Sequence, residues 1–236
     1  MRISFENDRV LAVVAHPDDA ELLCAGTLAR AAADGAAIGV CVLCQGDKGV
    51  SSRAPENLAD IRRGEMQSAA ELLGAELLTG EVPDGALADD PPTRRLLTEL
   101  VRRFRPTLLL AHWPGDYHPD HQAAGKLAEA ASWFCASRGQ ATDSAPLAAP
   151  PALWWMDTVG LTGFEPQFFI DVSGHADLKE RLLACHASQL DRGGDRDFTP
   201  LLDLLRRQMH TRGAQAGAAA AEAFRAHQAF KRARAW

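Results

Sequence analysis

Short, nearly unbroken apolar runs alternate with longer stretches in which Ala and Leu recur at helical spacing through the first two thirds of the chain. Runs rich in β-branched and other apolar residues predict strands over Arg9–Ala15, Ala37–Leu43, Ala75–Leu78, Thr107–Ala111, Leu153–Thr158 and Phe168–Val172. Between them the pattern predicts helices over Ala20–Asp34, Asn57–Leu73, Thr93–Phe104 and His121–Ser137. Gly35 and Gly74 stand just past two of these helices, where a left-handed residue closes the last turn, and Pro106 ends the third. Strand and helix in alternation predict a parallel sheet covered by helices, a Rossmann-like three-layer α/β sandwich. The C-terminal third reads as helical, over Ala176–Leu190, Pro200–His210 and Ala216–Arg234. The Ser/Ala/Pro/Gly-rich stretch from Ala136 to Pro151 has no apolar period and reads as a long surface loop, either a lid or a disordered segment.

Composition narrows the class without choosing a function. A chain of 236 residues, 47% hydrophobic and 24% charged, has the makeup of an ordinary globular protein, and one domain spanning 1–236 is the expectation. A net charge of -6 argues against nucleic acid as a partner, and the basic cluster Lys231, Arg232 and Arg234 is too short to reverse that. No apolar run approaches the roughly 20 residues that span a bilayer, so no membrane association is expected. The start of the chain has no signal-peptide pattern, and five scattered cysteines fit reduced thiols, so a cytoplasmic location is predicted.

Ligands of open α/β sheets bind beyond the carboxyl ends of the strands, which directs attention to two turns. Ala15-His16-Pro17-Asp18-Asp19-Ala20-Glu21 follows the first predicted strand, and Trp113-Pro114-Gly115-Asp116-Tyr117-His118-Pro119-Asp120-His121 follows the fourth. Neighbouring strands one and four would bring both turns to one crevice. A catalytic zinc takes three ligands from His and Asp or Glu and keeps a position open; His16, Asp19 and either His121 or His118 supply such a set. Asp at a helix start is also an ordinary cap, but capping does not call for two His/Asp turns at equivalent places.

The pair His16-Pro17-Asp18-Asp19 and His118-Pro119-Asp120-His121 resembles the signature of the LmbE-like, or PIG-L, family of metal-dependent N-deacetylases. Gly26-Thr27-Leu28, Arg62 to Glu65, Pro83-Asp84-Gly85, Asp171-Val172-Ser173, His186-Ala187-Ser188-Gln189 and Glu222-Ala223-Phe224 extend the resemblance over nearly the whole chain. It implies that His16, Asp19 and His121 bind zinc, or iron(II), and that Asp18 stays off the metal as general base. It further implies that His118 stabilises the oxyanion, that Asp120 orients a histidine, and that Arg62 contacts substrate. The activity implied is removal of an N-acetyl group from an amino-sugar conjugate, with bacillithiol-type deacetylases nearest in layout. The resemblance also leaves room for a homo-oligomer. Tyr117 departs from the pattern, standing one residue closer to the histidine than the tyrosine that relatives use.

Two other readings stand beside this one: a deacylase of a natural-product amine or small peptide, and a non-catalytic zinc-binding or nucleotide-binding module. Asp18 argues against the latter, because a structural site has no use for a spare carboxylate. A dinucleotide fingerprint of spaced glycines after the first strand is absent. Cys41 and Cys44 read as packing residues, as do Trp154 and Trp155, of which at most one could face a pocket. Gln45-Gly46-Asp47-Lys48-Gly49 reads as a substrate loop. His112, His175, His210 and His227 read as surface or supporting residues, and His186 as either a helix-face histidine or a site neighbour.

Overall fold

The structure is a computed structural model and describes residues 3–49, 55–190 and 199–229. Seven strands form one sheet: β1 (Arg9–Val14), β2 (Ala37–Cys44), β3 (Glu76–Val82), β4 (Leu108–Ala111), β5 (Ala152–Met156), β6 (Phe168–Asp171) and β7 (Ala221–Ala226). Their order is β3-β2-β1-β4-β5-β7-β6. The first five in that order are parallel, and β7 runs antiparallel to both of its neighbours. The helices are α1 (Asp19–Leu23), α2 (Ala25–Ala33), α3 (Leu58–Leu73), α4 (Pro91–Phe104), α5 (Pro119–Phe134), α6 (Ala176–Ala184), α7 (Ala187–Leu190) and α8 (Leu201–Ala216). The predicted α/β architecture with a mainly parallel sheet is the one observed.

Alternation along the strands builds two cores. Val10, Ala12 and Val14 of β1 pack with Leu23, Leu28, Met66, Leu183 and Leu205, under α1, α2, α3, α6 and α8. Leu11, Val13 and Ala15 face the other way, onto Leu97, Val101, Leu127 and Ala131 of α4 and α5. Trp154 belongs to the first core and Trp155 to the second, as period-two alternation requires. No helix among the described residues is long and apolar enough to cross a membrane.

Four expectations need correction. Ala221–Ala226 is a strand where a helix over Ala216–Arg234 was expected; the end of that span, from 230 on, lies outside the described residues. Ala-rich sequence favours helix by propensity, but between β5 and β6 the segment finds ladder partners on both sides. Phe224 is then fully buried in one core while Ala223 enters the other, and this tertiary gain outweighs local preference. The single helix expected over Ala20–Asp34 is broken at Cys24. There the Glu222 carboxylate of β7 accepts from the Gly26 and Thr27 amides at 2.9 and 2.7 Å, capping a fresh helix start. Glu222 is itself paired with the buried Lys179 of α6. Similarly, the helix expected over Ala176–Leu190 divides into α6 and α7.

The fourth correction concerns residues 136–151, which form neither a lid nor a disordered stretch. The buried Arg102 of α4 donates to the carbonyls of Phe134, Cys135, Ser137, Gln140 and Ser144 and to Thr142 Oγ1. The guanidinium protons thus satisfy an irregular backbone that has no ladder of its own, and none of its residues lines the cavity described below.

Candidate active site and metal centre

β1 lies between β2 and β4, so the chain leaves it at the point where strand order reverses. The turns after β1 and β4 meet there and line a cavity of about 630 Å³. His16, Asp18, Asp19, Arg62, His118, Asp120 and His121 all line it, and so do Lys48 and Gly49 of the loop after β2. Every site residue singled out in the sequence is therefore brought to one place.

Asp18 sits in the left-handed region, φ 91°, as the residue before α1. A non-glycine residue there is uncommon and must be held by its surroundings. Arg62 does the holding: Nη2 donates to Pro17 O at 2.5 Å and to Asp18 Oδ2 at 3.0 Å, while Nη1 donates to Gly46 O at 3.3 Å. Arg62 is only 3% exposed, which sets aside the alternative of a surface helix charge; its neighbour Arg63 is the exposed one, paired with Asp60 and Glu81. Burial pushes the Asp18 carboxyl up to about 6, and the Arg62 charge restrains the rise.

Asp19 opens α1, and its Oδ2 accepts from the His16 amide at 2.7 Å. His16 Nδ1 lies 3.4 Å from Asp19 Oδ2, and His121 Nε2 lies 3.4 Å from Asp19 Oδ1. Donor atoms around a tetrahedral ion with legs of about 2.0–2.1 Å stand about 3.3–3.4 Å apart, and each imidazole lies at that distance from one oxygen of the carboxylate, His16 from Oδ2 and His121 from Oδ1. The far ring nitrogens face carboxylates: His16 Nε2 bonds Asp120 at 3.0 Å, and His121 Nδ1 lies 3.2 Å from Asp116 without hydrogen-bond geometry. Such outer carboxylates fix the ring and strengthen the inner nitrogen as a ligand. Among the described residues, three groups have ligand atoms all within 4.8 Å of one another: His16, His118 and His121; His16, Cys44 and Asp120; and Asp19, His112 and His121.

Electrostatics show that the site attracts positive charge. Burial works against a charged His16, yet Asp120 and Asp19 overcome it and lift its pKa to about 10. In His121 burial is overcome by Asp19 and Asp116, giving about 9. Asp19 is held well below the usual carboxylate range: burial opposes this, and His121 and His112 outweigh it. A metal ion and these protons compete for the same lone pairs.

His118 is the N-cap of α5, with extended backbone and Pro119 in the first helical position. Its Nδ1 accepts from the Asp120 amide at 3.2 Å, which places the ring proton on Nε2. Burial, then His121 and His16, lower its pKa, keeping the ring neutral. The result is a neutral N–H donor lining the cavity.

Two further residues stand behind the ligand candidates: Asp116, to which the sequence pattern gave no role, and His112, read there as a surface or supporting residue. Asp116, 2% exposed, accepts from the His118 amide at 3.0 Å as well as facing His121. Its place shortly before those two histidines was the available signal. His112 is fully buried rather than superficial, with Nε2 3.2 Å from Asp19 Oδ2. His186 is also fully buried, 3.5 Å from Glu21, and does not line the cavity. Tyr117 does line it and is 65% exposed.

With this geometry in place, similarity to known proteins becomes informative. The model of the family described as "PIG-L: GlcNAc-PI de-N-acetylase" matches residues 11–132, slightly more than half of the chain. The chain belongs to the PIG-L family. The matched span runs from β1 into α5 and so contains both turns, while β5, β6 and β7 fall beyond it. Among curated PIG-L relatives, a 1D-myo-inositol 2-acetamido-2-deoxy-alpha-D-glucopyranoside deacetylase of Mycobacteroides abscessus is 28% identical, covering 84% of this chain and 87% of its own. A 4-oxalmesaconate hydratase of Pseudomonas putida is 29% identical over 188 residues, covering 76% and 73% respectively. The crystal structure of the conserved protein TT1542 from Thermus thermophilus superposes with a TM-score of 0.80 at 31% identity, covering 97% of this chain and all of that one.

Proposed function

We propose that this PIG-L protein is a zinc-dependent N-deacetylase that hydrolyses the N-acetyl amide of an amino-sugar conjugate, releasing acetate and the free amine. The observation that carries the reading is the division of two adjacent carboxylates. Asp19 joins the imidazoles, while Asp18 is turned by its left-handed backbone toward Arg62 and remains outside the ligand set. A structural metal site needs the first carboxylate only; a hydrolase needs both. The amino-sugar part is supported by the family description and the Mycobacteroides relative.

His16, Asp19 and His121 are the residues that would hold the metal. Zinc, or iron(II) in its place, would supply Lewis acidity there, polarising the amide carbonyl and easing deprotonation of water. Arg62 fixes Oδ2 of Asp18, so Oδ1 takes the proton from the attacking water and passes it to the amine nitrogen as the C–N bond breaks. The Nε2–H of His118 donates to the carbonyl oxygen as it gains negative charge. Asp120 keeps the His16 ring in place. Arg62 reaches the substrate from the cavity wall, where a guanidinium suits sugar hydroxyls or an acidic substituent. The cavity is large enough for a conjugate rather than a single sugar. We further read residues 1–236 as one catalytic domain with a small-molecule substrate, cytoplasmic because its five cysteines are free thiols, with self-association as an open arm.

The Pseudomonas relative supports a second reading, hydration of an unsaturated acid by the same water-activating residues. A panel of N-acetylglucosamine conjugates, other acyl amines, small N-acyl peptides and unsaturated dicarboxylates separates these. Acetate and amine appearing in equal amounts from the sugar conjugates is the expected result. Turnover confined to other acyl amines or peptides would move the substrate class, and turnover confined to water addition across C=C would overturn the deacetylase reading.

A further inference from the structure

We propose that His112, at the end of β4, is a positioning residue that holds two of the three metal ligands from their buried side. The inference rests on the metal reading above and concerns how the ligand set is kept in register. His112 is 0% exposed and follows Ala111, the last residue of β4, so its backbone is fixed by the sheet. Its ring lies nearly parallel to that of His121, with centroids 4.0 Å apart and planes 17° from parallel. Its Nε2 lies 3.2 Å from Asp19 Oδ2 and 3.1 Å from the Ala15 amide nitrogen; with the ring proton on Nε2 it donates to the carboxylate, and the Ala15 contact is then one of proximity. One ring therefore touches the ligand from the first turn, the ligand from the second turn, and the backbone just ahead of His16.

His112 lies between Asp19 and the backbone of Ala15, and its Nδ1, itself buried, makes no hydrogen bond among the described residues. All of the polar hold is exerted through Nε2. With the proton of His112 on Nε2, Asp19 Oδ2 accepts from the His16 amide and from His112 together, and Oδ1 is the oxygen that faces His121. The stacked ring meanwhile blocks His121 from tilting away from Asp116. Carboxylates and histidines that support ligands in this way typically change metal affinity by about 10–100-fold when altered.

The pair His112→Asn and His112→Gln tests the assignment, because Gln extends its amide to the place of Nε2 and Asn stops short at that of Nδ1. Zinc affinity is read by competition with a chromophoric chelator, and the thermal midpoint of each metal-free protein is read alongside. The expected result is zinc binding weakened about 10–100-fold in His112→Asn and within about threefold of wild type in His112→Gln. Equal weakening in both variants, or lowered metal-free midpoints with unchanged affinity, would mean that His112 only fills space. Should His112→Asn fail to fold, a His112→Gln protein that folds yet binds zinc more than about tenfold weaker overturns the proposal as well, whereas retained binding supports it. Wild-type protein that takes up no stoichiometric zinc would refute the metal reading itself, a distinct outcome.

Discussion

The two turns that meet at the cavity are built on opposite principles. The turn after β4 is regular: His118 caps α5 through its own side chain, and Pro119 occupies the first helical position, where its missing N–H costs nothing. The turn after β1 is strained and clamped, with Asp18 at φ 91° and Arg62 reaching across from α3 to hold both Pro17 O and the carboxylate. The contrast teaches where rigidity comes from at each place. Local capping suffices to aim the His118 ring, whereas holding the Asp18 carboxylate apart from that of Asp19 takes a long-range partner.

Removing the second turn's ligand should have the largest effect. His121→Ala is expected to abolish stoichiometric metal binding and bring amide hydrolysis to background, measured as metal content and amine release on the same sample. Releasing the clamp on the first turn comes next. Arg62→Met leaves a buried Asp18 without its counter-charge, and a stability loss of about 3–5 kcal/mol in chemical denaturation is expected. A loss under about 1 kcal/mol would show that the strained turn supports itself. Backing of the second turn is tested at Gly125 of α5, where an added Cβ would stand 2.6 Å from the His112 carbonyl oxygen. Gly125→Ala is expected to cost about 1–3 kcal/mol and to slow turnover, because α5 and the turn can no longer lie together. Arg63→Ala removes two exposed pairs next to the clamp, and a change under about 1 kcal/mol with full activity is expected. A large effect there would blur the distinction between the two arginines.

Much of this was legible because the parallel half of the sheet is written in local pattern. Buried strands, helices closed by Gly35 and Gly74, and His/Asp turns after β1 and β4 all follow from neighbours in sequence. The antiparallel end was not, since Ala221–Ala226 becomes a strand only through β5 and β6, partners far from it in sequence. The break at Cys24 has the same origin, because the acceptor that caps α2 is Glu222, on that same strand. Within the site, histidines and carboxylates were recognisable by type and spacing, so His16, Asp18, Asp19, His118, Asp120 and His121 could be named from two short motifs. Asp116 was missed, and His112 left between a surface and a supporting place, because their partners, His121 and Asp19, are defined only once β4 lies against β1. Arg62 carried no local sign that it would be buried beneath the first turn rather than displayed on α3 like Arg63.

The division of labour between Asp18 and Asp19 is the claim on which the rest depends, and a zinc titration of chelator-stripped protein tests it most directly. Amine release from an N-acetylglucosamine conjugate is followed as zinc is added to wild type and to Asp18→Asn. Wild type should gain activity up to one equivalent per chain. Asp18→Asn should bind the same single equivalent while its rate stays lower by about 10²–10⁴-fold. Full activity in stripped protein, or an Asp18→Asn protein as fast as wild type at one equivalent, would contradict the account.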